Sequence, residues 1–114
     1  MNVRKSLSDL LDQHSKSFPP DYFGFYGSVS AILASGMPPR TFCEAFGAEL
    51  KDYDNKLQEY SKRGENGEKL SGEELELFKE VFHKYKLLNG CAEKLPSEMR
   101  KLISELAGFP VMGM

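Results

Sequence analysis

Apolar residues recur along this chain with the period of the α-helix, in stretches separated by proline and glycine. Val3, Leu7, Leu10, Leu11 and His14 mark one face of a first helix that ends near Lys16, before Phe18-Pro19-Pro20. A third helix opens around Pro39 to Thr41, where Thr41 and Glu44 have capping-box spacing. Its stripe of Phe42, Phe46, Leu50, Tyr53, Leu57 and Tyr60 repeats every three or four residues over about five turns. Ser71 and Glu74 form the capping box of a fourth helix, with Leu70 and Leu75 at the staple positions and Leu75, Phe78, Val81, Phe82, Tyr85 and Leu88 on its apolar face. Asn89-Gly90 either ends this helix or kinks it, since Cys91, Ala92 and Leu95 continue the same period. Pro96 and Ser97 begin a short last helix that carries Met99, Leu102, Ile103 and Leu106 and closes at Gly108.

The second helix breaks this alternation. From Tyr22 to Pro39 the chain has no charge, and Phe23, Phe25, Tyr26, Val29, Ile32 and Leu33 leave no polar face. A helix of that kind must be covered on all sides, so the pattern predicts that Asp21 to Ser35 is the buried centre of the domain. Gly24, Gly27, Ser28, Ala31 and Ser35 form a stripe of small residues, against which a second backbone is expected to pack closely. Gly36 and the prolines that follow stop the helix, which is too short to span a bilayer.

The expected fold is all-α: a compact bundle of four main helices and a short fifth, in a single domain over residues 1–108. The tail, 109–114, is apolar and aperiodic, and its simplest role is to pack back onto the bundle. With 15 basic against 17 acidic residues, the chain has no cationic excess for neutralising phosphates or anionic headgroups. Cys43 and Cys91 lie far apart in helical segments, which points to a reducing compartment. The basic pair Arg4-Lys5 precedes polar residues instead of an apolar run, so no secretory signal is expected and the cytoplasm is the default.

No constellation of catalytic, metal or cofactor residues stands out. His14, Cys43, His83 and Cys91 are zinc-ligand types without a local pair, and Glu80 with His83 is a single Glu-x-x-His where a di-iron bundle needs two. Either cysteine would need an adjacent base to act as a nucleophile, and neither lies in a nucleophile turn. Glu73-Glu74 is explained by the positive end of a helix dipole. The Gly36-Met37-Pro38-Pro39 turn resembles that of a helix-turn-helix, but the following helix carries Glu44, Glu49, Asp52 and Asp54 against Arg40, Lys51 and Lys56, a poor balance for DNA. Lys84, Lys86, Lys94, Arg100 and Lys101 give the C-terminal half a modest basic face, with acidic residues interleaved.

Aromatic residues provide the positive signal. Phe18, Tyr22, Phe23, Phe25 and Tyr26 are concentrated where either a core or a partner interface could use them. The distal part of the long third-helix stripe, Tyr53, Leu57 and Tyr60, extends beyond the reach of a small bundle. The expected function is therefore a non-enzymatic protein-interaction module, an adaptor, inhibitor, small chaperone or regulatory subunit. It would meet a protein partner or a second copy through Tyr53, Leu57, Tyr60, Tyr22 and Tyr26, without nucleic acid, membrane, metal or cofactor. The alternatives are a small helix-turn-helix DNA-binding regulator and a helical-bundle enzyme or cofactor binder with an unrecognised site.

Overall fold

The computed structural model describes residues 2–16 and 19–108. Five helices follow one another: α1 (Val3–His14), α2 (Tyr22–Ala34), α3 (Pro39–Glu65), α4 (Gly72–Lys94) and α5 (Ser97–Ala107). The protein is an all-α bundle, 47 × 27 × 24 Å in extent. The expected packing of the 109–114 tail lies outside the described residues.

The centre of the bundle is α3. It packs against α1, α4 and α5, and its first half buries Phe42, Cys43, Phe46, Leu50 and Tyr53. Gly47 allows the closest approach: a Cβ built there would lie 3.3 Å from the Leu106 Cβ and 3.4 Å from the Ile103 carbonyl oxygen of α5. From α1 come Val3, Leu7 and Leu11, and from α4 come Leu87, Leu88, Cys91 and Ala92, all part of one continuous core. Each set falls on one helix face, as the periodicity predicts.

The expectation that the second helix is the buried centre is overturned. It lies on α1 and α4, and only Phe25 and Val29 are fully enclosed, while Phe23 is 83 % exposed. Gly27, Ala31 and Ala34 also face solvent. An uncharged face made of Gly and Ala has little apolar area to lose to water, so leaving it uncovered costs little. The small-residue stripe does not receive a second backbone at Gly27, where a Cβ would meet nothing within 4 Å.

Other departures occur at helix ends. The Thr41 capping box does not form, because Pro39 already sits in the first turn, Pro38 is the N-cap, and Glu44 pairs with Arg40 at 3.1 Å. The α4 box forms in both directions: Ser71 Oγ accepts the Glu74 N–H at 3.1 Å, and the Glu74 carboxylate accepts the Ser71 N–H at 3.2 Å. Gly90 neither stops α4 nor caps it, since the helix continues to Lys94. The last helix ends at Gly108, whose φ of 78° is the left-handed conformation that glycine tolerates.

Two charged nodes tie the elements together. Arg4 of α1 donates to Glu49 at 3.0 Å and to Asp52 at 2.6 Å on α3. Lys84 is not part of an outer basic face: it is 7 % exposed, and its ammonium donates to Asp12 at 2.5 Å and Glu80 at 2.7 Å. Burial works against the charge on this lysine, but these two hydrogen bonds outweigh it and raise the pKa.

Beyond this core, residues 54–65 of α3 and 72–83 of α4 continue as a two-helix arm in which no described residue is buried. Tyr60 meets Phe78 edge to face with centroids 5.5 Å apart, and Arg63 pairs with Glu74 and, at 2.9 Å, with Glu68. These contacts close the hairpin but leave Leu75, Leu77 and Phe82 exposed.

Candidate functional site

The first turn of α2 is fixed by a small polar corner. Asp21 is the N-cap, its Oδ1 accepting the Gly24 N–H at 2.9 Å, while Oδ2 lies 3.2 Å from His14 Nδ1. The bond from Gly24 holds the Asp21 carboxyl below its usual pKa, with a smaller contribution from His14. Gly24 has no alternative here, since a Cβ would collide with the Asp21 carboxylate and come within 2.8 Å of the His14 ring. On the inner side, His14 meets Phe25 edge-on at 6.3 Å. This corner sets the rotation of α2, so Phe25 points inward and Phe23 outward.

Tyr22 then lies directly on the backbone of α4. A Cβ at Gly90 would come within 2.9 Å of its ring, so glycine in mid-helix is what lets α2 approach. The helix-propensity penalty of glycine, about 1 kcal/mol, is offset by this contact. Tyr22, Lys86, Asn89, Gly90, Glu93 and Lys94 line a cleft of about 400 Å³ between the two helices. Lys94 holds its ammonium 4.8 Å from the Phe23 ring centroid and 5.6 Å from that of Tyr26. Lys86 lies 5.5 Å from the Phe82 ring. Both cations are therefore braced on aromatic faces at the two ends of the cleft.

Asn89 forms the floor of the cleft. It is 4 % exposed as a residue, and its amide is the polar group of the cleft's inner side.

A larger groove, about 740 Å³, runs between the end of α1 and the start of α4. Its walls are charged, and most of these charges are already engaged: Glu76 with Lys79 at 3.6 Å, and Asp12 and Glu80 with the neighbouring Lys84. That is the chemistry of a solvated surface.

Of the five residues singled out from the sequence, Tyr22 lines the cleft and Tyr26 meets its Lys94, both partly buried against the core. The other three follow α3 outward. Tyr53 is 8 % exposed, while Leu57 and Tyr60 are half-buried on the arm. Phe23, Asn89, Gly90 and Lys94 were not singled out as site residues. Phe23 reads as one more core aromatic, and Asn89-Gly90 as a helix stop.

The described residues gather no three of His, Cys, Asp and Glu as a metal-ligand group, so His14, Cys43, His83 and Cys91 do not meet. Cys43 and Cys91 are buried free thiols, and desolvation raises both, Cys91 to about 12. No helix among the described residues is long and apolar enough to cross a membrane. Comparison with protein-family models, curated proteins and solved structures finds no match for this chain.

Proposed function

We propose that this protein is a non-enzymatic interaction module that grips a protein partner in the cleft between α2 and α4. The observation that carries the reading is Phe23, a large aromatic 83 % exposed against Lys94 at the edge of a cleft. Aromatic anchors beside braced cations are the ingredients of an interface hot spot. The helix-turn-helix alternative lacks comparable support, because the would-be recognition helix is α3, whose first half is enclosed by α1, α4 and α5.

A photo-crosslinking phenylalanine analogue placed at position 23 tests the reading in cells that express the protein. A discrete protein adduct is expected from position 23 and not from the same analogue at Lys56, which is exposed on the arm. If position 23 yields no more than position 56, the cleft is not the interface.

A second reading, self-association through the arm, is supported by exposed Leu75, Leu77 and Phe82 on a hairpin without a buried residue. Sedimentation equilibrium separates the two. A dimer that dissociates on Leu75→Ser and Phe82→Ser would place contact on the arm.

A further inference from the structure

We propose that the occupant of the α2–α4 cleft is an extended acidic segment of a protein partner, with two carboxylates four residues apart and an uncharged residue midway. This rests on the interaction reading above and adds the chemistry of the partner.

The spacing follows from α4. Lys86 and Lys94 are eight residues apart on the helix, about 12 Å along its axis. An extended chain advances about 3.3 Å per residue, so residues i and i+4 of a strand cover that distance and point to the same side. A carboxylate at each position meets one lysine. Among the described residues neither lysine has a carboxylate partner, and each is held in place by an aromatic ring, which lowers the ordering cost of binding.

The residue at i+2 points to the same side and meets the middle of the cleft, where the Tyr22 ring covers Gly90 and is the apolar group available. Asn89 lies beneath. Its amide both donates and accepts, which matches the N–H and C=O of a peptide backbone. Glu93 also lines the cleft, one residue before Lys94, and lowers the net positive charge at that end. The apolar middle favours an uncharged residue between the two acids, and two lysines beside a glutamate are too few for a nucleic-acid backbone.

The test uses a fluorescein-labelled nine-residue peptide, Gly-Ser-Glu-Thr-Leu-Thr-Glu-Ser-Gly, its counterpart with both glutamates changed to glutamine, and a single-stranded DNA 20-mer. Anisotropy is expected to show the glutamate peptide binding at least tenfold more tightly than the glutamine peptide. The Lys86→Gln/Lys94→Gln variant should erase that preference, and Asn89→Ala should weaken both peptides alike. Equal binding of the two peptides overturns the proposal, as does no saturation up to about 1 mM, the weak end of specific recognition. Tighter binding of the DNA at the same lysines overturns it in favour of a polyanion site. A crosslink from position 23 together with equal peptide binding would remove the acidic motif and leave the interaction reading standing.

Discussion

The two halves of α3 carry one continuous apolar repeat and end in different surroundings. Phe42, Phe46 and Leu50 are fully buried because α1, α4 and α5 close around them. Leu57 and Tyr60 continue the same stripe, yet only α4 accompanies them, and they stay half-exposed. Periodicity determines which face of a helix is apolar. The number of neighbours that cover that face depends on where the other helices end, and α1 and α5 are only 12 and 11 residues long. The packed end should thus unfold as a unit, while the arm opens more easily.

The strongest test removes equivalent stripe residues from the two ends. Phe46→Ala is expected to cost about 3–5 kcal/mol, the range for a buried aromatic truncated to a cavity. Tyr60→Ala should cost about 1–2 kcal/mol, because half of the ring already faces water and the loss is mainly its edge-to-face contact with Phe78. Denaturant melts of the two variants compare these values directly. Equal losses would mean that the arm is covered in solution, by a second copy or a partner.

Gly90→Ala tests the packed end from the side of the cleft. Overpacking against Tyr22 costs about 1–3 kcal/mol, which exceeds the propensity gain of about 1 kcal/mol. A net destabilisation of about 1 kcal/mol is therefore expected in a thermal melt, together with loss of the crosslink from position 23. An unchanged melting temperature would show that Tyr22 does not rest on α4.

How much of this was legible beforehand depends on the residue. The α4 start could be read because Ser71 and Glu74 complete a local motif that needs no tertiary information. On α4 only Leu88 of the expected face is buried, while Leu75 and Phe82 are exposed, because no third helix reaches the arm. The core faces of α1 and the first half of α3 were legible from their period alone. The position of α2 was not, because an uncharged segment of Gly, Ala and Ser is compatible with both burial and exposure. Nor was the Lys84 node, whose partners Asp12 and Glu80 include one 72 residues away. Gly90 misled most instructively: glycine in a helical pattern signals a stop, a kink or a close approach, and only the position of Tyr22 decides. The cleft lies between α2, whose burial does not follow from its composition, and the part of α4 around Gly90, so its geometry depends on tertiary packing that the local pattern does not contain.

The arm has its own, weaker locks, and pH sharpens the contrast. The Arg63 hydrogen bond, then the bond from the Ser71 backbone, lower Glu74 from its ordinary 4.5 to about 2. A depressed folded-state pKa contributes stability above the ordinary carboxylate range, which is lost as pH falls from about 4.5 toward 2. The protection factors of residues 72–76, relative to the free-peptide exchange rate at each pH, should therefore fall over that window before the core opens, and Arg63→Gln should remove this pH dependence. Ser71→Ala is expected to cost about 1 kcal/mol of local helix stability by the same readout. Uniform protection loss across both ends would mean that they unfold together.

The smallest expected effect is also the one with its sign reversed. If α2 were the buried centre, a side chain at Gly27 would be overpacked and the protein would lose stability. In the observed packing a Cβ at that position meets nothing within 4 Å, and Gly27 is not among the glycines with positive φ. Alanine there adds no strain and reduces the freedom of the unfolded chain, so Gly27→Ala should stabilise by about 0.5–1 kcal/mol. For a domain of this size that corresponds to a rise in melting temperature of roughly 2–5 °C. Gly27→Leu should be close to neutral, since its side chain extends into solvent. A fall in melting temperature with leucine but not with alanine would show that this face of α2 is covered in the protein as it exists in solution, moving the uncovered surface away from α2 and leaving the arm as the exposed apolar region.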